Sequence, residues 1–258
     1  MPVINVNGQK VSYEEAGVGL PIVLIPGIAE TRESYSRQLS GLSSKYRVIA
    51  YDLRAAVKGG DCTIGLLADD LSHLLRALRI STAVICGHSF GGAVAQEFAM
   101  AHPEETSALV LISAFATPPS GGDDRLISWL TPGGGTTGGP LGWLQSVFGR
   151  RPVEPDSYEW LADQADGVSR SVIESRLRAL RAFDSSERLA AIAAPTLVVV
   201  GARDREEFLK AARFLYEGIP DSDLEVIEGG DHFCPFLRHD LVNAALDEFI
   251  SSRMPSIA

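Results

Sequence analysis

Cysteine is scarce in this 258-residue chain: Cys62, Cys86 and Cys234 are the only three, odd in number and far apart. That excludes a disulfide framework and suits a reducing compartment. Basic residues are in deficit, with 23 Lys and Arg against 33 Asp and Glu, a formal net charge of −10. An acidic surface repels phosphate backbones and anionic headgroups, so neither nucleic acid nor a membrane is expected as a partner. No apolar run approaches the ~20 residues that span a bilayer, and residues 1–8 carry no basic segment ahead of a hydrophobic stretch. Neither a membrane helix nor a secretory leader is expected, and the expected location is cytoplasmic. Histidine is limited to five residues, and no pair of them has metal-ligand spacing with carboxylates beside it. No metal or organic cofactor is expected. Nothing in the composition sets an oligomeric state.

What the chain does have is length enough to bury about 70–75% of its unfolded surface around one core. Asn7-Gly8 separates two short strand signals, at 3–6 and 10–15, and tolerates the positive φ of a two-residue hairpin turn. Strand signals follow at 22–25, 47–51, 83–86, 108–113, 196–200 and 224–227. Several are continuously apolar, as in strands covered on both faces. Helical patterns lie between them: a polar one near 32–42, then Ile64, Leu67, Leu71, Leu74 and Leu78 on one face. The alternation predicts the α/β class, with a doubly wound, mainly parallel, eight-stranded sheet.

From about 116 to 184 the alternation stops, leaving helical patches and glycine. Leu126, Trp129 and Leu130 share a face, as do Ile173, Leu177 and Leu180, with Arg176, Arg178 and Arg181 interleaved. We read residues 117–184 as a helical cap inserted into a core formed by 1–116 and 185–258. Trp129, Trp143 and Trp160 all fall inside it. Core packing is the ordinary explanation of any one tryptophan, yet small-molecule sites are commonly lined by aromatics. The three are therefore candidate substrate contacts, together with Phe233. The run from Pro132 to Pro140, rich in glycine, reads as a linker between cap helices. Without a following Lys-Ser/Thr pair it is no phosphate loop.

The chemistry centres on Gly87-His88-Ser89-Phe90-Gly91, directly behind the apolar run Ala83-Val84-Ile85-Cys86 and ahead of a helical pattern. A serine between two glycines at a strand–helix junction is pushed out of the sheet on a tight, strained turn. The pattern alone is weak, but an acid and a histidine follow in suitable places. Asp204 comes just after the strand signal Thr196-Leu197-Val198-Val199-Val200-Gly201, and His232 follows a strand and the Gly229-Gly230 break. All three residues lie past the C-terminal ends of predicted parallel strands, where open α/β sheets bind ligands. The order Ser89, Asp204, His232 on such a sheet fits the α/β-hydrolase arrangement. A serine hydroxyl needs a base within hydrogen-bond reach; His232 would serve, oriented by Asp204. Asp231 competes for the acid's role, but neighbours in a loop rarely face each other. His239 is the rival histidine. His73, His88 and His102 take structural readings, His88 pointing away from the nucleophile beside it. Cys86 and Cys234 read as buried, inert thiols.

Nearly the whole length resembles a small α/β-hydrolase fold enzyme of the esterase, lactonase and C–C hydrolase type. Pro21-Ile22-Val23-Leu24-Ile25-Pro26-Gly27-Ile28 resembles the strand and loop that supply half an oxyanion hole; Gly229-Gly230-Asp231-His232-Phe233 resembles the histidine loop. The resemblance implies backbone N–H donors at Ile28 and Phe90 for an oxyanion. It also implies an acyl-enzyme mechanism and a small, largely apolar ester or lactone as substrate. Serine at the elbow separates the chain from the branches that carry aspartate there. Two departures stand out. Pro26-Gly27 replaces the His-Gly of many relatives, so that loop must be stiffened by other hydrogen bonds. Residues 55–61 lack the Gly-x-Gly-x-Ser that often follows Asp52-Leu53-Arg54, so that loop is expected to be reshaped. Two other readings stay open: a ligand-binding sensor on a hydrolase scaffold, and a thioesterase, C–C hydrolase or acyl-transfer enzyme of a metabolic pathway. In the last, Arg176, Arg178 and Arg181 would offer a local basic patch to an acidic carrier.

Overall fold

The computed structural model describes residues 2–54, 62–118 and 167–254. Eight strands form one sheet: β1 (Val3–Val6), β2 (Gln9–Ala16), β3 (Pro21–Ile25), β4 (Arg47–Tyr51), β5 (Ala83–His88), β6 (Thr106–Ile112), β7 (Thr196–Gly201) and β8 (Ser222–Ile227). Their order across the sheet is β1-β2-β4-β3-β5-β6-β7-β8. Only the β1–β2 and β2–β4 pairings are antiparallel. The hairpin turns at Asn7 and Gly8, with φ of 48° and 76°, as the Asn-Gly pair requires.

The helices are α1 (Ser36–Leu42), α2 (Ile64–Ala77), α3 (Phe90–Ala101), α4 (Arg170–Arg181), α5 (Glu206–Gly218), the short α6 (Cys234–Leu237) and α7 (His239–Arg253). Strand periodicity sorts the core into two layers. Val23, Ile25, Ile85, Leu109, Leu111, Val198 and Val200 point to one face, where α2, α3 and α5 cover them. Ile22, Leu24, Val84, Cys86, Val110 and Val199 point to the other, against α1 and α7. A strand sandwiched this way can be apolar at every position, which is why β5 and β7 are buried throughout. α2 begins where the Thr63 side chain accepts the Leu66 N–H, and Leu67, Leu71 and Leu74 then share its buried face.

The segment read as a cap lies mostly outside the described residues, including Trp129, Trp143, Trp160 and the 132–140 run; so do residues 55–61. α4 is the described part. Its buried face carries Ile173, Leu177 and also Arg176, which is 3% exposed, while Arg178 and Arg181 face solvent. Arg176 therefore does not belong to the surface patch that the spacing suggested: it sits one turn before Leu180 and one turn after Ile173, on the apolar stripe.

Leu71 is fully buried between α2 and the sheet. Leu71→Ala should destabilise the fold by about 2–5 kcal/mol, read as a lower urea midpoint at unchanged slope.

Candidate active site

β5 ends at His88 and α3 starts at Phe90, leaving Ser89 at the junction with φ 51° and ψ −112°. A positive φ costs a residue with a Cβ about 1–3 kcal/mol unless its surroundings over-determine it. Here they do. Ser89 N donates to the Ile112 carbonyl and its own carbonyl accepts from Gly92 N, both at 2.9 Å. A Cβ on Gly87 would overlap the Gly91 carbonyl, and one on Gly91 would overlap the Ile25 carbonyl. Both glycines are thus demanded by backbone passing backbone. His88 and Phe90 are sealed, whereas Ser89 is half-buried.

The loops after β7 and β8 meet beside this elbow. Arg203 N donates to the Gly230 carbonyl at 2.7 Å, and a Cβ on Gly201 would overlap the Asp231 carbonyl. In that contact His232 Nδ1 lies 3.1 Å from Asp204 Oδ2, with both residues 4% exposed. A carboxylate only accepts, so the ring proton belongs on Nδ1, and Nε2 is left as the basic nitrogen of a neutral ring. Phe208 and Phe233 confine the imidazole, at centroid distances of 4.3 Å and 5.3 Å, Phe233 nearly perpendicular to it. Asp231 is turned elsewhere: its Oδ1 accepts the Phe233 N–H at 2.8 Å, and burial pushes its carboxyl up.

The loop that begins at Pro26 is stiffened from within. Gly27 N donates to Glu30 Oε2 at 2.9 Å, and Glu30 Oε1 lies 2.9 Å from His88 Nδ1. The other nitrogen of His88, Nε2, is 2.8 Å from the carbonyl oxygen of His232. Burial alone would raise Glu30 and lower His88. Their mutual attraction and hydrogen bonds outweigh it, leaving Glu30 below and His88 above its ordinary value. From α4, Arg176 donates to the carbonyls of Ile28 (2.8 Å) and Leu53 (3.2 Å). Burial brings its guanidinium down to about 10, still charged at neutral pH.

Sequence reasoning missed Glu30, read Arg176 as part of a basic patch and gave His88 too little. The signal for Glu30 was present: a lone carboxylate in the apolar stretch Pro26-Gly27-Ile28-Ala29-Glu30, just past a buried strand. Of the candidate oxyanion donors, Phe90 is the first residue of α3 and Ile28 is partly exposed on the Glu30-braced loop. His73 is exposed and His102 caps the far end of α3, while Cys86 and Cys234 are buried, Cys86 pushed up to about 12. Ligand atoms of His102, Glu104 and Glu105 cluster at that far end of α3, where Ser72 and Arg76 already engage Glu105. No described helix is long and apolar enough to cross a membrane.

Gly201→Ala should displace the His232 loop while leaving the side chains of Ser89, Asp204 and His232 chemically unchanged. A drop in kcat/KM of about 10²-fold is expected, measured on an intact, folded variant checked by circular dichroism.

Comparison with known proteins agrees with this geometry. A putative carbamate hydrolase RutD from Azorhizobium caulinodans is 26% identical, with 95% of this chain and 97% of that protein aligned. Its counterpart from Agrobacterium fabrum is 28% identical, over 89% and 92% respectively. Among solved structures, an esterase from Thermogutta terrifontis superimposes with a TM-score of 0.85 at 25% identity, covering 98% of each chain. The enol-lactonase from Burkholderia xenovorans LB400 gives 0.84 at 23% identity, covering 97% of this chain and all of that one, a likeness of fold. The family model described as "Alpha/beta hydrolase family" matches residues 22–245. That match takes in the elbow, both partner loops and the strands that carry them: the chain belongs to the alpha/beta hydrolase family, and hydrolysis is the chemistry its relatives support.

Proposed function

We propose that this protein is a serine hydrolase that cleaves a small, largely apolar carboxylic ester or lactone through an acyl-enzyme. The observation that carries the reading is the Asp204–His232 bond, 3.1 Å long, on a loop hydrogen-bonded to the residue next to Ser89. Ser89 is the nucleophile. His232 Nε2 takes its proton as Oγ attacks the carbonyl carbon, and Asp204 stabilises the resulting imidazolium. The N–H groups of Phe90 and Ile28 receive the oxyanion, each such donor contributing about 3–4 kcal/mol to the transition state. His232 then returns the proton to the leaving alcohol, or to the freed hydroxyl of an opened lactone. Water, activated by the same imidazole, releases the acid.

Residues 117–184 act in this reading as a cap over the site, with Trp129, Trp143, Trp160 and Phe233 as the apolar surface offered to the substrate. Phe233 packs nearly perpendicular to the His232 ring, with 5.3 Å between centroids. The protein is read as working on a small molecule in the cytoplasm, without nucleic acid or membrane. Carbamates are the second substrate class, because the two curated relatives aligned along most of the chain are named putative carbamate hydrolases. A carbamate presents the same attackable carbonyl and needs no further catalytic group.

Turnover should be profiled over a short-chain p-nitrophenyl ester, a lactone, a thioester and an aryl carbamate. Ser89→Ala is expected to lower kcat by at least ~10³-fold on whichever is cleaved. Unchanged turnover in that variant removes the assignment, and a single slow acylation without release identifies a sensor.

A further inference from the structure

His88 immediately precedes Ser89, and each of its ring nitrogens faces an acceptor: Glu30 Oε1 at 2.9 Å and the His232 carbonyl oxygen at 2.8 Å. A carbonyl oxygen has no proton to give, so Nε2 must carry one. A carboxylate likewise only accepts, so Nδ1 carries the other. A neutral imidazole could satisfy one of these acceptors and not both. The remaining way out, a neutral ring beside a protonated Glu30, is opposed by Gly27 N–H, which already donates to Glu30 Oε2 at 2.9 Å and favours the anion. The whole group is sealed: Glu30 is 5% exposed and His88 2%.

We propose that His88 is held as an imidazolium by Glu30, and that this buried ion pair is a positioning device that fastens the loop of Gly27 and Ile28 to the backbone of His232. The chain of bonds runs from Gly27 N through Glu30 and His88 to the His232 carbonyl. It thus crosses beneath the reacting centre, from the proposed oxyanion donor to the proposed base. Neither side chain touches substrate. His232 and Asp204, from the loops after β8 and β7, act electrostatically on the pair, as does Tyr35 from the turn after Thr31, whose hydroxyl donates to the Ile25 carbonyl. Cys86 lies close enough to Tyr35 to belong to the same buried group.

The effect on turnover rests on the serine-hydrolase reading; the charge state does not. Both groups stabilise the fold, and their contributions change with pH in opposite directions. Glu30, lowered in the fold, stabilises above its ordinary 4.5 and loses this as pH falls through its folded value. His88, raised in the fold, stabilises below its ordinary 6.5 and loses this as pH rises through its folded value. The melting-temperature gap between wild type and Glu30→Gln should therefore be widest between those two values.

The decisive measurement is a long-range 15N–1H spectrum of the ¹⁵N-histidine-labelled full chain at about pH 7.5, a unit above the ordinary histidine value, with His88→Asn to assign the signal. Both nitrogens of His88 should carry protons in wild type, and one should be bare in Glu30→Gln. A bare nitrogen on wild-type His88 overturns the proposal, and that result needs no variant enzyme to be active. In Glu30→Gln, kcat should fall about 10–100-fold with KM within about threefold, and the pH–rate profile should gain a new ionisation. Wild-type kcat and an unaltered profile in that variant reject the positioning role. Failure of Ser89→Ala to lose activity, with His88 doubly protonated, would reject the serine mechanism and leave the ion pair standing.

Discussion

Three loops leave the same edge of the sheet, after β3, β5 and β7, and the loop after β8 joins them; they share that edge because backbone can lie directly on backbone. At Gly91 and Gly201 a single Cβ would drive two of these loops apart, and at Gly87 it would push β5 off the start of α3. The contacts bring a strained serine, a hydrogen-bonded Asp–His pair and a braced peptide loop into one neighbourhood, although they come from residues about 200 positions apart at the extremes. Parallel strands make this arrangement general, since all of them deliver their C-terminal ends to one side. The glycines make it tight.

Polar groups at this edge are buried in hydrogen-bonded sets. Glu30 and His88 form one, Asp204 and His232 another, and the carbonyl of His232 joins the two. In a low-dielectric interior an unpaired carboxylate or imidazolium would be costly, while a paired one becomes a rigid strut. The loop that lacks the His-Gly of many relatives gains its stiffness this way, from a carboxylate three residues on. Arg176 adds a tie from above, a guanidinium from α4 bonded to the carbonyls of Ile28 and Leu53. The proposed oxyanion donor at Ile28 is therefore on a loop held on one side by an ion pair and on another by an arginine of α4.

The comparisons and the geometry set different levels of detail. Family membership and the fold follow from a match along most of the chain and from superposition on an esterase and an enol-lactonase. Bond type does not, because the curated relatives are named putative carbamate hydrolases while the superimposed structures are of an esterase and an enol-lactonase. One nucleophile, one base and two N–H donors would serve all of these carbonyls.

Local information was sufficient wherever the physics is local. Asn7-Gly8 specified its turn, the leucines of α2 specified its buried face, and Gly-x-Ser-x-Gly behind an apolar run specified the elbow, because each depends on neighbours a few residues away. Chain order was enough to choose Asp204 and His232 as partners, since strand ends in a parallel sheet converge. Three matters were left to the tertiary structure. Where each carboxylate turns, Asp231 onto its own backbone and Asp204 onto the imidazole, was set only by the folded loop. Arg176 read as part of a surface patch until packing placed it on the apolar face of its helix. His88 looked incidental until Glu30, 58 residues earlier in the chain, and the His232 carbonyl, 144 residues later, were found on its two nitrogens. A hydrogen-bond partner at that separation leaves no periodic trace in a sequence, so only the folded chain decides what such a residue holds.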